Sequence, residues 1–292
     1  MFRGTYTAIV TPFRDGAPDE GAFKGLVEWQ IESGITGIVA VGTTGESPTL
    51  DNEEHTRVIE WTVKAAAGRC QVIGGTGSNS TREAIFLTEE AEKVGADGVL
   101  LVTPYYNKPT QEGLFRHFKA IAESTKLPII LYSVPGRCGI EIAVETAVRL
   151  ARECPNVVSI KEAGGSVDRV NQLRAALPAG FTILSGDDSI ALPSMCAGAE
   201  GVISVASNII PREMVRMVEA FLEGRTEEAR GLHARFYPLF KDLTLETNPI
   251  PIKTAVSLAD RISGEFRLPL CEMAPGNAAK LLATLRNLNL VK

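Results

Sequence analysis

The sequence lacks the features that mark secreted and membrane proteins. No apolar run among its 292 residues approaches the length needed to cross a bilayer. The N-terminus has no charged segment followed by an apolar segment and a small-residue cleavage site, as a secretory signal would. The five cysteines are odd in number and widely spaced, and they include no C-x-x-C pair. We therefore expect reduced thiols and a cytoplasmic protein.

Histidine is also scarce, which bears on metal sites. The three histidines, His55, His117 and His233, are far apart in the chain and lack the spacing of metal ligands. We expect no metal site, and we expect His117 and His233 on helix surfaces. The adjacent Asp187 and Asp188 could suggest a cation, but carboxylates that cap a loop explain them better.

An excess of basic charge is absent as well. The chain carries 30 Lys and Arg against 35 Asp and Glu, a net charge of −5, with no basic run. This balance argues against nucleic acid as the main partner. Gly75, Gly77 and Ser80 lack the third glycine of a dinucleotide fingerprint. We therefore expect no nucleic-acid partner, no membrane partner and no nucleotide cofactor.

What the sequence does contain is a repeated alternation of short apolar runs and amphipathic segments. Runs rich in Val, Ile and Leu predict strands at residues 8–10, 38–41, 72–74, 98–102, 129–132, 157–161, 182–185 and 201–204. Helical spacing predicts helices at residues 22–33, 53–67, 81–94 and 112–124. Asp51 followed by Glu54 predicts the capping box of the second helix.

This alternation predicts an α/β fold, a (β/α)8 TIM barrel. Near-continuous apolar strands between helices indicate a parallel sheet covered on both faces, and eight of them favour a closed barrel. From about residue 211 the pattern is helical and offers no strand. We predict a catalytic barrel domain at residues 1–210, whose last helix extends to about 224 at most, and a C-terminal helical domain at residues 225–292.

Polar side chains follow most of the predicted strands. The active site of such a barrel lies at the carboxyl ends of its strands, so these side chains are expected to meet. The segments are GTTGES at 42–47, GGTGSNS at 74–80, TPYYNKP at 103–109, SVPGR at 133–137 and SGDD at 185–188. Tyr132 and Lys161 end the fifth and sixth strands. The sequence therefore predicts hydroxyls, tyrosines, an arginine and a lysine on one face of the barrel.

The lysine of the segment VVSIKEAGG, 157–165, ends an apolar strand. The ordinary explanation is a strand end that reaches water, because lysine is almost never fully buried without a partner. Strand alternation places Val157, Ser159 and Lys161 on one face and Val158 and Ile160 on the other. The small Ser159 suits a crowded barrel interior, which favours an inward Lys161.

An inward lysine at this position is suited to Schiff-base chemistry. Burial favours the neutral amine, and the neutral amine is the form that attacks a ketone. Strand alternation is expected to turn Glu162 away from Lys161, and a close carboxylate would keep the ammonium charged. Tyr132, on the preceding strand, is expected to exchange protons with the carbinolamine.

Taken together, these motifs resemble those of the dihydrodipicolinate synthase family, within the pyruvate-dependent aldolases and lyases. The resemblance rests on GTTGES, TPYYNKP, the stretch 132–137 and IKEAGG, and it runs from AIVTPF at 8–13 to NPIPIK at 248–253. It implies a (β/α)8 barrel with a C-terminal helical domain, assembled as a homotetramer of two tight dimers. The implied reaction condenses pyruvate with L-aspartate 4-semialdehyde to 4-hydroxy-tetrahydrodipicolinate, the first committed step of diaminopimelate and lysine biosynthesis. The covalent lysine Schiff base takes the place of a cofactor.

The resemblance also implies roles for individual residues. Lys161 forms the Schiff base with pyruvate, and Arg137 binds the carboxylate of the second substrate. The implied proton relay consists of Tyr132, Thr44 and, across a dimer interface, Tyr106. Thr43 and Thr44 are implied at the pyruvate carboxylate. The implied pyruvate pocket also includes Gly186 and the Ile203 carbonyl.

A site for feedback inhibition by lysine is implied in the same way. The matching residues are Ser47, His55, Asn79, Glu83 and Tyr105. Pro48 and Asn52 depart from residues common in lysine-sensitive relatives, and Ser133 and Gly136 depart from residues common beside the substrate arginine.

Two alternatives remain open from the sequence. One is a sister aldolase that uses the same lysine, such as N-acetylneuraminate lyase or 2-keto-3-deoxygluconate aldolase. GTTGE favours the synthase, since the sugar-acid lyases commonly have G-S-T-G-E there. The other is a barrel that binds a keto acid without turning it over. The joint presence of Lys161, Tyr132, Thr44 and Tyr106 argues against it.

Overall fold

A closed barrel of parallel strands forms the centre of the structure, a computed structural model that describes residues 2–292. The strands are β1 (Gly4–Ala8), β2 (Phe13–Arg14), β3 (Ala17–Pro18), β4 (Gly37–Ala40), β5 (Gln71–Gly75), β6 (Gly98–Val102), β7 (Ile129–Ser133), β8 (Val157–Glu162), β9 (Thr182–Ser185) and β10 (Gly201–Ser204). β2 and β3 form a small antiparallel hairpin. The other eight close in the order β1–β10–β9–β8–β7–β6–β5–β4, so the predicted TIM barrel is confirmed.

Helices alternate with the barrel strands and continue beyond them. They are α1 (Glu20–Glu32), α2 (Asn52–Ala66), α3 (Thr81–Lys93), α4 (Gln111–Ser124), α5 (Pro135–Cys138), α6 (Val144–Glu153), α7 (Val167–Ala176), α8 (Ala191–Cys196), α9 (Pro211–Leu222), α10 (Thr226–Asp242), α11 (Ile250–Leu258) and α12 (Pro275–Asn287). The capping box of α2 is present, because the Asp51 carboxylate accepts from the Glu54 N–H at 2.8 Å and the Glu54 carboxylate accepts from the Asp51 N–H at 3.2 Å. Within residues 2–292, no helix combines the length and apolar character that a membrane span needs.

Buried apolar side chains form two layers. An inner layer fills the barrel and includes Tyr6, Val39, Ile73, Leu100, Ile130 and Leu184. An outer layer packs the strands against the surrounding helices and includes Ile38, Leu101, Leu131, Ile160 and Ile183. Consecutive strand residues such as Ile130 and Leu131 therefore belong to different layers, as alternation requires.

The first strand lies earlier in the chain than the sequence predicted. The apolar residues 8–10 predicted it, whereas β1 runs through Gly4–Ala8. Thr5 and Thr7 lower the apolar content of β1, but both are buried, and the Thr7 hydroxyl donates to the Gln30 side-chain oxygen of α1 at 2.6 Å. A search for apolar runs therefore misses a buried strand whose threonines hydrogen-bond to a polar side chain on a neighbouring helix.

The face assignment along β8 needs a second correction. The ladder with β7 contains a bulge, since Ile129 pairs with Val157 and Ile130 pairs with Ser159. Val157 therefore packs in the outer layer and Val158 against the inner one, the reverse of the prediction. Beyond the bulge the alternation is regular, so Lys161 faces inwards as predicted.

The prediction for His117 is also wrong. Its side chain is 6% exposed, and its Nδ1 hydrogen-bonds the Thr81 hydroxyl at 2.9 Å where α4 packs on α3. His233 on α10 is half-buried. A single polar residue in an amphipathic helix can therefore lie on the buried face when a neighbouring helix supplies a partner.

Residues beyond α9 are helical, as the sequence predicted. The segment between α9 and α10, residues 223–225, is where we propose the boundary between the barrel and the C-terminal helices. α10 packs on α9, and α12 packs on both α10 and α11. This arrangement brings the loop between α10 and α11 to the carboxyl ends of the barrel strands, where Asn248 lies beside Thr44.

Candidate active site

A cavity of about 600 Å³ opens at the carboxyl ends of the barrel strands. It collects side chains from nearly every segment in which the sequence predicted functional residues. Those predicted for the substrate site and found in its wall are Thr43, Thr44, Tyr132, Arg137, Lys161 and Gly186. The barrel topology explains the convergence, because parallel strands all end at the same rim.

Lys161 lies near the end of β8 with its amine inside the cavity. It pairs in register with Tyr132 of β7 and Leu184 of β9. The residue is 5% exposed, and Nζ lies 4.2 Å from the centre of the Tyr132 ring. Burial lowers the pKa of Lys161 to about 7, opposed by the charge of Asp188 and reinforced by that of Arg137. The amine is therefore substantially neutral at physiological pH, as a nucleophile must be.

Glu162 follows Lys161 in the chain but faces away from the amine, as expected. Its carboxylate accepts from the Gly164 N–H at 2.7 Å and lies 3.7 Å from the Arg169 guanidinium. Burial raises the pKa of Glu162, while the Gly164 N–H and Arg169 oppose the rise. The two adjacent charged residues therefore belong to different environments, one inside the barrel and one outside it.

Asp188 is a cavity residue whose influence on Lys161 the sequence did not reveal. One carboxylate oxygen accepts from the backbone N–H groups of Val205 and Ala206, at 3.0 and 2.8 Å. Asp187 caps the same loop by accepting from the Ser189 N–H at 2.7 Å, so the predicted capping roles are confirmed. Burial raises the pKa of Asp188, the Val205 and Ala206 N–H groups lower it, and the charge of Asp188 raises the pKa of Lys161.

Gly186 supports the lysine by its lack of a side chain. A Cβ at this position would lie 2.6 Å from the Ala163 Cβ and 2.9 Å from the Lys161 Cε. Real Cβ atoms do not approach other atoms so closely, so any larger residue would push the lysine out of place. This steric requirement explains a glycine in the wall of the cavity.

Tyr132 is influenced by Thr43 of the loop after β4. Burial raises the pKa of Tyr132, whereas the charge of Arg137 and a hydrogen bond with the Thr43 side chain lower it. Thr43 thus lowers the pKa of Tyr132, while the Thr44 hydroxyl accepts from Asn248. Adjacent threonines in one loop cannot be told apart by sequence spacing, since their side chains diverge from a shared backbone.

Thr44 contacts a residue that sequence reasoning missed. The Asn248 side-chain Nδ2 donates to the Thr44 hydroxyl at 3.0 Å. The Arg137 guanidinium donates to the Asn248 backbone carbonyl at 3.1 Å. Asn248 thereby joins the threonine loop after β4 to the arginine after β7. The segment NPIPIK carried part of the family resemblance and was the available signal for it.

A buried ion pair ties the same threonine loop to the C-terminal helices. Lys253 of α11 and Glu46 are both buried, and the Lys253 amine donates to the Glu46 carboxylate. The Lys253 amine also lies 4.1 Å from the centre of the Phe13 ring and 5.1 Å from that of Phe266. Glu46 has a left-handed backbone with φ of 56°. The pair therefore fixes the loop that carries Thr43 and Thr44.

Three predicted residues, Tyr106, Ile203 and Asn79, lie outside the wall of the cavity. Tyr106 is 92% exposed and does not line the cavity that holds Lys161 of its own chain. Ile203 is fully buried in the inner layer of the barrel. Asn79 holds the tyrosine loop, since its Nδ2 donates to the Tyr105 carbonyl at 3.1 Å, and the Asn107 Nδ2 donates to the Asn79 carbonyl at 2.9 Å.

Most of the residues predicted for lysine binding line the same cavity. Ser47, His55, Glu83 and Tyr105 belong to its wall. The His55 Nε2 hydrogen-bonds the Gly75 carbonyl at 2.9 Å, and burial lowers the pKa of His55. The structure therefore brings four of these five side chains together, with Asn79 adjacent through its contact with Tyr105.

Comparison with known proteins decides the family. The model of the dihydrodipicolinate synthetase family matches residues 1–288. The chain belongs to this family. It is 53% identical over 292 residues to the 4-hydroxy-tetrahydrodipicolinate synthase of Thermodesulfovibrio yellowstonii, covering 100% of both chains.

Solved structures agree with this assignment to the dihydrodipicolinate synthetase family. The 4-hydroxy-tetrahydrodipicolinate synthase of Methylacidiphilum fumariolicum is 56% identical with a TM-score of 0.98, and the match covers 99% of this chain and 96% of that one. A chloride-inhibited dihydrodipicolinate synthase of Acinetobacter baumannii, solved in complex with pyruvate, is 47% identical with a TM-score of 0.97 and full coverage of both chains.

Proposed function

We propose that this protein is a lyase that condenses pyruvate with L-aspartate 4-semialdehyde to give 4-hydroxy-tetrahydrodipicolinate, at the start of diaminopimelate and lysine biosynthesis. The full-length relatives that carry this activity in their names support the reaction. The observation that carries the mechanism is the buried amine of Lys161, whose pKa is about 7, inside the cavity at the barrel rim.

The first chemical step is attack by Lys161 on pyruvate. The neutral amine adds to the C2 carbonyl and forms a carbinolamine, which loses water to give a protonated imine. The imine draws electrons from C3, so a C3 proton leaves and an enamine forms. The lysine thus supplies the electron sink, and we propose that no cofactor takes part.

The second half of the reaction uses the enamine as a carbon nucleophile. Its C3 adds to the aldehyde carbon of L-aspartate 4-semialdehyde, and the aldehyde oxygen takes up a proton. The amino group of this substrate then attacks the imine carbon and closes the ring. Collapse of the adduct releases the Lys161 amine and regenerates the enzyme.

Proton transfers during these steps are assigned to Tyr132 and Thr43. Thr43 lowers the pKa of Tyr132, which supports Thr43 rather than Thr44 as the relay threonine. Tyr132 lies over the Lys161 amine and can give a proton to the departing water. Tyr106 of a neighbouring subunit is proposed as the third member.

Substrate carboxylates are assigned to two places in the cavity. Thr44 and the backbone of its loop are proposed to bind the pyruvate carboxylate, and Gly186 and the Ile203 carbonyl are proposed to contact the same substrate. Arg137 binds the carboxylate of the second substrate, for which a planar guanidinium is suited. The exposure of Arg137 at the cavity mouth supports this order of subsites.

The proposed reaction is tested by product analysis with purified protein. Incubation with pyruvate and L-aspartate 4-semialdehyde should consume both and yield the cyclic product, identified by mass. Parallel incubations with N-acetylneuraminate and 2-keto-3-deoxygluconate should release little pyruvate. Faster release of pyruvate from either sugar acid than consumption in the condensation would contradict the proposal in favour of a sister aldolase, and no turnover of any substrate would favour a keto-acid-binding barrel.

We propose that the protein assembles as a homotetramer of two tight dimers and that it is cytoplasmic. The exposed Tyr105 and Tyr106 support a dimer contact at this loop. Sedimentation velocity at micromolar concentration should give a tetramer, and a monomer there would refute the assembly.

Feedback inhibition by lysine is proposed at the part of the cavity wall that the predicted lysine-binding residues form. The shared wall of Ser47, His55, Glu83 and Tyr105 supports it. L-Lysine should then inhibit the condensation, and Glu83→Gln should weaken that inhibition while leaving turnover without lysine near the parent value. Inhibition of equal strength in this variant would remove Glu83 from the site.

A further inference from the structure

The side chain of Asn248 makes a hydrogen bond of fixed direction to the threonine loop. An amide nitrogen only donates, so the Thr44 hydroxyl is the acceptor in the 3.0 Å contact with Asn248 Nδ2. A hydroxyl that accepts on one side keeps its single hydrogen for another partner. The Thr44 side chain lines the cavity and is 2% exposed, so this partner has to be found inside the site.

The rest of the Asn248 side chain has no competing contact. Its Oδ1 is buried and has no hydrogen-bond partner within residues 2–292. The backbone carbonyl of Asn248 makes the separate contact with Arg137, which a side-chain substitution leaves in place. The amide side chain therefore acts in this site through Thr44.

We infer that Asn248 is a positioning residue that orients the Thr44 hydroxyl as a hydrogen-bond donor towards the carboxylate of pyruvate. This inference rests on the proposed function, since it takes pyruvate as the first substrate. Without the amide, the Thr44 hydroxyl rotates freely and can accept as readily as it donates. A carboxylate offers no hydrogen, so the donor orientation is the productive one.

Asn248 also connects this orientation to the C-terminal helices. Thr44 and Asn248 are 204 residues apart in the chain. The Glu46–Lys253 pair holds the same two segments together beside the contact. The pyruvate subsite is therefore completed by a residue from outside the barrel, and the barrel strands alone would leave the hydroxyl free.

The experiment is a double-mutant cycle of Asn248→Leu and Thr44→Val, read by borohydride trapping of the pyruvate adduct at varied pyruvate concentration. Leucine has the same number of side-chain heavy atoms and the same branching as asparagine, and so has valine compared with threonine, but neither replacement has the polar group. Asn248→Leu should raise the half-saturating pyruvate concentration roughly 3- to 10-fold, the value of one hydrogen bond. It should leave the saturating rate and the KM for the aldehyde within about twofold.

In the Thr44→Val background, Asn248→Leu should hardly change the half-saturating pyruvate concentration any further, because the hydroxyl that Asn248 orients is absent. A merely structural role would lower affinity equally in both backgrounds. Thr247→Ala, an exposed neighbour, is the matched control and should behave as the parent. If Asn248→Leu does not fold, Asn248→Ala takes its place in the cycle.

Two results would overturn the inference. One is an unchanged pyruvate dependence in the Asn248 variant. The other is an effect of the same size with and without the Thr44 hydroxyl. Either result leaves adduct formation by the parent protein intact, so it is distinct from failure of the proposed function, in which the parent itself would trap no pyruvate.

Discussion

The reactivity of Lys161 depends on two opposing influences, burial and the charge of Asp188. Burial disfavours the ammonium and lowers the pKa to about 7, while Asp188 favours the ammonium. A lysine with an ordinary pKa near 10.5 would be neutral in fewer than about one molecule in a thousand at pH 7. The position inside the barrel therefore raises the reactive fraction by about three orders of magnitude.

The first prediction concerns the pH dependence of adduct formation. The neutral amine increases as pH rises through the pKa, so the rate should climb about tenfold per pH unit below 7 and level off above about pH 8. Borohydride quenching at short times with limiting pyruvate measures it. A midpoint near 10 would contradict a desolvated lysine.

The variant Asp188→Asn tests the contribution of Asp188 to the pH dependence of adduct formation. Removing the carboxylate removes the influence that raises the pKa of Lys161, so the midpoint should move to lower pH. Asparagine can still accept from the Val205 and Ala206 N–H groups, which preserves the loop. Asp187→Asn removes a charge from the same loop and should move the midpoint less.

The second prediction separates the two substrates at Arg137. Arg137→Ala should raise the KM for aspartate semialdehyde about 10- to 150-fold, since a charge-assisted hydrogen bond contributes roughly 1.5–3 kcal/mol. The exposure of Arg137 favours the lower end of this range. Arg137→Lys keeps the positive charge but lacks the planar guanidinium, so its KM for aspartate semialdehyde should lie between those of the parent and of Arg137→Ala. Failure of pyruvate adduct formation in Arg137→Ala would move this residue to the pyruvate subsite.

Among the elements, the loop after β4 and helix α11 are joined by the buried pair of Glu46 and Lys253. Lys253→Met should lower the free energy of unfolding by about 3–5 kcal/mol, because Glu46 is left as an unpaired buried charge. Denaturant unfolding at neutral pH measures the loss. The control is Glu46→Gln combined with Lys253→Met, which should be more stable than Lys253→Met alone. If Lys253→Met lowers the free energy of unfolding by less than about 1 kcal/mol, the ion pair does not stabilise the contact between the loop and α11.

The elements also show where sequence reasoning succeeds and where it stops. Strands β6, β9 and β10 begin and end at the predicted residues, because their apolar runs end at polar or glycine residues. The bulge in β8 could not be predicted, since it depends on pairing with β7. The same limit applies to Asn248, whose partner Thr44 is 204 residues away in the chain. Strand ends are local properties, whereas side-chain partners are set by the closed barrel.

At the scale of the whole molecule, the position of Tyr106 bears on assembly. It is 92% exposed, with a left-handed backbone at φ of 72°, next to a loop held by Asn79 and Asn107. A large aromatic side chain held out from the surface is suited to an interface. We propose that it enters the site of a neighbouring subunit, and symmetry would then place the same residue in both sites.

The third prediction tests this shared site by mixing two inactive variants, Tyr106→Phe and Lys161→Arg, after dissociation and reassociation. A mixed dimer has one site with both substitutions and one with neither. Random mixing makes half of the dimers mixed, so about a quarter of all sites should regain full activity. A mixture as inactive as its parents, with mixed dimers shown to form, would place Tyr106 in its own chain's mechanism.

The central claim is that Lys161 forms the covalent bond to pyruvate. Borohydride reduction in the presence of pyruvate, followed by proteolysis and mass mapping, tests it most directly. The account predicts an adduct on Lys161 alone, and none in Lys161→Arg, because a guanidinium cannot be deprotonated in proteins. The exposed Lys108 provides an internal control in the same digest. An adduct on Lys108, or on no lysine at all, would contradict the account.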